Sequence, residues 1–217
     1  MNIELERLHE KSDILKRLCI HTNDMSVGKI GTDLPHGWYV VEAEYNPKTN
    51  FKCMIYRNKN QVVFSFAGTD KKSILDHAAN LQMCFGTINN QMKKANEFFQ
   101  VMKRRYVKIF DEVTLVGHSE GGSEATFVGV LNNIKTVTFN AYGISKKLIL
   151  KDKDYNNLIT NYRTPHDIVS KLRLNPGKTF IIPSELRILA SHSIKNMGSC
   201  TTAIPIEIYK KQHFLFR

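Results

Sequence analysis

The first third of the chain combines one helical pattern with three strand-like segments. Residues 3–18 place their apolar side chains near one face of a helix, so a helix is predicted there. Residues 19–36 are polar and contain Gly and Pro, which favours a loop. Segments 38–45, 51–57 and 61–66 are rich in Val, Ile, Phe and Tyr and are separated by short polar turns. They predict an N-terminal antiparallel meander of three strands.

The rest of the chain alternates predicted helices and strands. Residues 88–106 carry apolar side chains at spacings of three and four, which is the strongest helical pattern in the sequence. A short strand at 113–116 leads into a second helix over about 119–131, and the polar residues 145–156 are interpreted as a loop or short helix. Further strands are predicted at 136–139, 159–162 and 179–182. The alternation predicts one α/β domain over residues 1–217, with a mostly parallel central sheet flanked by helices.

The composition excludes several classes of protein. Apolar residues make up 42% and charged residues 24% of the 217 residues, which is ordinary for a globular protein and excludes wholesale disorder. No run of eighteen apolar residues occurs, so no membrane-spanning helix is expected. The first twenty residues are too charged for a signal peptide. We therefore expect a cytoplasmic protein, or one exported or delivered by a route without a cleaved signal peptide.

The four cysteines are scattered and form no CxxC pair. This spacing indicates neither a zinc site nor a disulfide framework, so free thiols are expected. The formal net charge of +11 favours encounters with anionic partners, including acidic membrane surfaces, although the same balance also suits a merely solvated surface. No aromatic RNA-binding strand or zinc-finger spacing accompanies the charge, so nucleic-acid binding is not favoured.

One short motif carries candidate chemistry. Residues Gly117-His118-Ser119-Glu120-Gly121 match G-x-S-x-G, with an apolar strand before the motif and a helix-compatible stretch after it. In this arrangement a nucleophilic serine occupies a strained turn, and glycines two positions away avoid colliding with it. The helix that follows offers unpaired N–H groups to a developing anion. The alternative is a serine that only caps an ordinary helix.

A nucleophilic serine needs a base and a group that orients the base. In α/β-hydrolases the acid and the histidine follow the serine in that order along the chain, in loops after later strands. Asp167 is the favoured acid because it follows the predicted strand 159–162 after a short loop. His192 is the favoured base, since His166 adjoins Asp167 and His213 lies four residues from the C-terminus.

Several separated segments together resemble class 3 (fungal-type) lipases of the α/β-hydrolase group. They include a strand pair that ends in Phe66-Ala67-Gly68-Thr69, a Gly-His-Ser-x-Gly-Gly turn and two segments that resemble the acid and histidine regions of the family. The segments are 51–57 with 62–69, 76–81, 117–122, 167–169 and 192–197. The sequence departs from the family at Ala67, where Arg is usual, and at His77, where Trp is usual. The resemblance implies an α/β-hydrolase-like fold.

The resemblance also implies roles for individual residues. Ser119 would be the nucleophile, His192 the base and Asp167 the acid that orients it. Thr69, through its hydroxyl and N–H, and the N–H of Glu120 would form the oxyanion hole, where each donor lowers the barrier by about 3 kcal/mol. Such chemistry needs no metal ion and no organic cofactor. A strand-ending turn is the alternative interpretation of Thr69.

The reaction implied by the resemblance is hydrolysis of a carboxylic ester of an acyl lipid through an acyl-enzyme, as in a lipase or phospholipase. A thioesterase, peptidase or acyltransferase would use the same residues, and a non-catalytic binding module would retain the fold. Apolar residues in 81–90 lie where the family carries a lid, with Gly86 as a hinge. The alternative for 81–90 is the start of a helix that packs in the core.

Overall fold

The computed structural model describes residues 2–24, 34–35, 37–68, 90–106, 112–150 and 152–214. The strands in these ranges are β1 (Tyr39–Asn46), β2 (Phe51–Asn58), β3 (Gln61–Phe66), β4 (Glu112–His118), β5 (Lys135–Phe139), β6 (Ile159–Arg163), β7 (Lys178–Ile181) and β8 (Ile204–Pro205). The α-helices are α1 (Ile3–Asp24), α2 (Asn90–Tyr106), α3 (Glu120–Asn132), α4 (Ile188–His192) and α5 (Ile206–Phe214). None of these helices is long and apolar enough to cross a lipid bilayer.

All the strands named above form one sheet, in which their spatial order follows their order in the sequence. The pairs β1–β2 and β2–β3 are antiparallel, the pairs from β3 to β7 are parallel, and β8 pairs antiparallel with β7. This confirms the predicted fold class, a mostly parallel sheet preceded by an antiparallel meander. Because β3 to β7 are parallel, their carboxyl ends meet at one edge of the sheet.

Both faces of the sheet are covered, which explains why the central strands have continuous apolar runs. Alternate residues of β2 point to opposite faces. Met54 packs with Leu15 and Leu18 of α1 on one face. Ile55 packs on the other face with the apolar residues of α2 and α3, which include Phe99 and Phe127. The sheet therefore has a buried apolar layer on each side.

The structure corrects the interpretation of residues 19–36 as a loop. Helix α1 continues to Asp24, so residues 19–24 are helical. The side chains of Cys19 and Thr22 are completely buried against the sheet. The Thr22 hydroxyl bonds to the Leu18 carbonyl at 3.0 Å and to the Ser65 hydroxyl on β3 at 2.8 Å. Contacts with the sheet thus extend a helix whose own sequence is too polar to signal it.

Two further differences concern the second half of the chain. His192, expected in a loop, is the last residue of the short helix α4. Strand β8 and helix α5 were not predicted, because two-residue strands and weakly amphipathic terminal helices carry little local pattern. The segment 145–156 contains a 3-10 turn at Lys146–Leu148, in line with the short-helix alternative.

Candidate active site

The turn between β4 and α3 holds Ser119 in an uncommon backbone conformation. Its φ is 57° and its ψ is −121°, a region that costs a non-glycine residue about 1–3 kcal/mol. The Ser119 N–H donates to the Phe139 carbonyl at 3.1 Å, which ties the turn to β5. The Ser119 side chain makes no capping bond to the first turn of α3. The capping alternative is therefore not what the structure shows.

Two glycines of this turn are required by close backbone contacts. A Cβ at Gly117 would lie 2.2 Å from the Gly121 carbonyl oxygen, and a Cβ at Gly121 would lie 2.2 Å from the Phe66 carbonyl oxygen. Contacts this short are impossible without moving the backbone. The glycines therefore let the turn close against the end of β3. Side chains at these two positions would collide with the backbone of Gly121 and Phe66. The sequence argument had expected them to collide with Ser119.

The structure brings together the three residues selected as nucleophile, base and acid. His192 Nε2 lies 2.8 Å from Ser119 Oγ, and His192 Nδ1 lies 3.0 Å from Asp167 Oδ1. Because a carboxylate only accepts hydrogen bonds, Nδ1 carries the proton, and Nε2 accepts from the serine hydroxyl. The side chains of His192 and Asp167 are 2% and 0% exposed. The three groups thus form a continuous relay shielded from water.

The Asp167 carboxylate is oriented by its own loop. Oδ1 accepts the Val169 N–H at 3.0 Å, and Oδ2 accepts the Ser170 N–H at 3.2 Å. Arg163, at the end of β6, donates to the Ser170 carbonyl at 3.4 Å. Burial lowers the pKa of Arg163, and the nearby Asp167 carboxylate acts in the opposite direction. The Arg163 guanidinium and the Asp167 carboxylate therefore lie close enough to interact electrostatically.

Of the two residues selected as oxyanion donors, the structure describes Glu120 but not Thr69. Glu120 is the first residue of α3, directly after Ser119, where helix N–H groups lack intrahelical partners. Thr69 lies outside the described residues, but Gly68 before it passes close to the turn. A Cβ at Gly68 would lie 3.2 Å from the Ser119 Cβ, and the Gly68 N–H donates to Asn23 Oδ1 at 2.9 Å. The oxyanion roles of both residues stay predictions.

The remaining predictions concern the lid segment, the cysteines and a metal site. The segment 76–81 and most of the lid segment 81–90 lie outside the described residues. Cys19, Cys53 and Cys200 are free and buried, and burial raises the pKa of each thiol. Among the described residues there is no group of three or more His, Cys, Asp or Glu side chains that could hold a metal ion.

The sequence argument missed two polar residues beside the relay. Asn140 and Thr164 hydrogen-bond to the backbone of the segment that carries His192. Each directly follows a parallel strand, β5 and β6 respectively. That position was the available signal, because side chains at the carboxyl ends of parallel strands converge on the functional edge of the sheet.

The chain is similar in sequence to known phospholipases. A family model described as phospholipase-like, for the Tle-like phospholipase domain, matches residues 33–215. An extracellular phospholipase A1 from Serratia liquefaciens is 31% identical over 97 residues. That match covers 45% of this chain and 29% of the relative, so the chain spans less than a third of the curated protein it matches.

Solved structures of fungal lipases share the fold. The lipase from Rhizopus microsporus var. chinensis matches with a TM-score of 0.62 at 14% identity, over 84% of this chain and 76% of that one. Lipase II from Rhizopus niveus matches with a TM-score of 0.66 at 13% identity, over 82% of each chain. The fold that the resemblance to class 3 lipases implied is thereby confirmed. With the family model matching most of its length, the chain belongs to the phospholipase-like family of the Tle-like phospholipase domain.

Proposed function

We propose that the protein is a serine hydrolase that cleaves a carboxylic ester bond of a phospholipid through an acyl-enzyme on Ser119. One observation carries this proposal, the buried relay in which His192 contacts Ser119 at 2.8 Å and Asp167 at 3.0 Å. Membership of the phospholipase-like family and the similarity to a phospholipase A1 support the choice of a phospholipid ester.

The first half of the reaction forms the acyl-enzyme. Ser119 Oγ attacks the ester carbonyl carbon while His192 Nε2 takes the hydroxyl proton. Asp167 stabilises the imidazolium that results and keeps its Nδ1–H in place. As the tetrahedral intermediate collapses, the bond to the leaving alkoxide breaks. His192 returns the proton to this oxygen, so a lysophospholipid leaves and the acyl group stays on Ser119.

The second half releases the fatty acid. A water molecule attacks the acyl carbonyl, His192 takes its proton, and collapse of the second intermediate returns that proton to Ser119 Oγ. In both halves the carbonyl oxygen becomes negative. The N–H of Glu120 and the groups of Thr69 are our proposed donors to it, each lowering the barrier by about 3 kcal/mol.

We also propose that the carboxyl edge of the sheet contacts anionic lipid. Three exposed basic residues, Lys171, Arg187 and Lys195, belong to loops or turns on this edge, and the chain has a net charge of +11. Lys195 is paired with Asp24 at 2.8 Å. A basic residue near an anionic membrane surface contributes about 1 kcal/mol to binding. Contact at this edge would bring the relay close to its substrate.

The hydrolase proposal is tested by covalent labelling with a fluorophosphonate, comparing the wild type with Ser119→Ala by intact mass. We expect one adduct on the wild type and none on the variant. Phospholipids that differ in head group and acyl position then give the specificity, read from the released fatty acid and lysophospholipid. A folded wild type that forms no adduct, even in detergent micelles, would contradict the proposal and favour a non-catalytic binding module.

The membrane contact needs a separate test. Binding to phosphatidylcholine vesicles with and without an anionic phospholipid is measured at low and high salt for the wild type and for Lys171→Glu/Arg187→Glu. We expect the double variant to bind anionic vesicles more weakly, with its reaction with the soluble probe unchanged. Lys103→Glu/Arg104→Glu, on the last turn of α2, is the matched control. Equal weakening of both variants would mean that only the net charge matters.

A further inference from the structure

The helix that carries His192 is too short to be stable without contacts from other segments. Helix α4 has only five residues, too few for a stable isolated helix. Its last carbonyl groups have no intrahelical partners and must find donors elsewhere, since Ser191 and His192 are each only 1% exposed. Ala190 faces solvent. The buried carbonyls of Ser191 and His192 therefore need donors from other segments of the chain, and those donors help to orient His192.

Asn140 supplies donors to both of these carbonyls. Its side-chain Nδ2 lies 3.0 Å from the Ser191 oxygen and 3.0 Å from the His192 oxygen. Its Oδ1 accepts the Thr164 N–H at 3.0 Å. Thr164 begins the loop that carries Asp167. A single amide thus joins the segment of the base to the segment of the acid, and every polar atom of that amide has a partner.

The backbone of Asn140 is shaped for this contact. Its φ is 45°, in the left-handed region that Asn tolerates better than most residues. Its N–H donates to the Tyr162 carbonyl at 2.8 Å, which fixes it to β6. The residue is completely buried, so water does not compete for its hydrogen bonds.

Two neighbouring side chains complete the support. The Thr164 hydroxyl donates to the Ser191 carbonyl at 2.8 Å and lies 2.7 Å from the Ser191 hydroxyl. His118, the residue before the nucleophile, has Nε2 at 2.8 Å from the His192 carbonyl oxygen. Since that oxygen only accepts, His118 Nε2 carries a proton in this contact. The His192 carbonyl therefore receives donors from the end of β4 and from the residue after β5.

We infer that Asn140 is a positioning residue, whose amide holds His192 at hydrogen-bonding distance from both Ser119 and Asp167. This inference rests on the proposed hydrolase function. Displacement of a reacting group by about 1 Å can reduce a rate about a hundred-fold. The amide of Asn140 prevents such a displacement, although it touches neither the substrate nor the reacting atoms.

The test replaces Asn140 with Gly, because Gly adopts the observed φ without strain and lacks the side-chain amide. Asn161→Gly is the matched control. Asn161 is also buried, and its amide donates to the carbonyls of Pro176 and Lys178, at 2.9 and 3.2 Å. For each protein the rate of fluorophosphonate labelling, the kcat and KM for a soluble short-chain ester, and the thermal unfolding midpoint are measured.

We expect labelling rate and kcat of Asn140→Gly to fall about ten- to a hundred-fold, with KM nearly unchanged. Asn161→Gly should lose stability but keep its labelling rate within about two-fold of the wild type. A folded Asn140→Gly that labels as fast as the control would overturn the inference. So would an equal fall in both variants, because the effect would then be a general loss of stability.

A second measurement keeps the inference separate from the proposed function. We expect the proton that His192 Nδ1 donates to Asp167 to give a downfield proton NMR resonance, whose detection needs no substrate. A wild type that does not react with the probe would refute the hydrolase proposal alone. The resonance should be present in the wild type and Asn161→Gly and lost or broadened in Asn140→Gly. Its persistence in Asn140→Gly would overturn the positioning role.

A further pair of variants covers the case in which Asn140→Gly does not fold. Thr164→Val has nearly the same shape as the native residue but lacks the hydroxyl that donates to the Ser191 carbonyl. We expect it to lower the labelling rate and weaken the resonance, and Thr164→Ser, which retains the hydroxyl, to restore both. Identical rates in Thr164→Val and Thr164→Ser would show that donors to this backbone do not position His192.

Discussion

Replacing Asp167 with Asn tests the relay most directly, because its three hydrogen bonds leave the amide no good orientation. In one orientation the amide oxygen still accepts from His192 and Val169, but the amide nitrogen then faces the Ser170 N–H, a donor against a donor. In the other orientation the amide nitrogen faces the Val169 N–H and His192 Nδ1, so a donor again meets a donor at Val169. An unsatisfied buried donor costs about 1–3 kcal/mol, and we expect the free energy of unfolding to fall by about that amount.

The catalytic loss should be larger than the loss of stability. In the second orientation His192 Nδ1 must accept from the amide, so its proton moves to Nε2, which then cannot take the proton of Ser119. In either orientation the imidazolium formed during the reaction loses its carboxylate. The corresponding substitution in the chymotrypsin relay lowers kcat about 10⁴-fold. We expect a decrease of about 10³- to 10⁴-fold in the labelling rate and in kcat.

The assay combines urea unfolding with fluorophosphonate labelling and soluble-ester kinetics. Asp154→Asn is the matched control, because Asp154 also accepts a nearby backbone N–H, from Asn156 at 2.8 Å, but is exposed. It should change the free energy of unfolding by less than about 0.5 kcal/mol and leave the labelling rate unchanged. A folded Asp167→Asn with a rate within about ten-fold of the wild type would refute the assignment of Asp167 as the orienting acid.

Two other predictions concern stability. Gly121→Ala would place a Cβ 2.2 Å from the Phe66 oxygen, so the free energy of unfolding should fall by about 3 kcal/mol or more. Gly198→Ala is the control, because its new Cβ meets only the Ile182 Cγ2 methyl group, at 3.3 Å, so the free energy of unfolding should fall by less than about 1 kcal/mol. Equal losses of stability in the two variants, measured by thermal unfolding, would contradict the steric argument. Burial raises the pKa of Asp13, but donors including the Cys200 N–H at 2.9 Å outweigh it and lower the pKa below its ordinary value. The ionised group therefore stabilises the fold above its unfolded pKa of about 4, and this contribution is lost as the pH falls through the lower folded pKa. The free energy of unfolding of Asp13→Asn should be about 1–2 kcal/mol lower than that of the wild type at pH 7. Urea unfolding from pH 7 to pH 3 should show this difference between the two proteins shrinking. A difference that stays constant with pH would contradict the proposed contribution of the ionised Asp13.

Local pattern was sufficient to select the residues that the structure brings together at the candidate site. The turn around Ser119 could be recognised because a nucleophile elbow needs glycines at fixed offsets, a strand before them and a helix after them. Asp167 and His192 followed from the order of acid and histidine after the serine, from the position of Asp167 after a predicted strand, and from setting aside His166 and His213. These signals lie within short segments or follow from the topology of a parallel sheet. The fold class could be predicted for the same reason.

The supports of the site were decided only by tertiary structure. Helix α1 continues to Asp24 because Thr22 is buried against β3, a contact between residues more than forty positions apart. Asn140 reaches Ser191 and His192 across more than fifty residues of sequence, and no local period or turn rule specifies that pairing. The composition of a segment determines its intrinsic preference for a helix, a strand or a turn. Which buried carbonyl meets which donor depends on how distant segments pack together, because an unpaired polar group in the interior is costly wherever along the chain its partner lies.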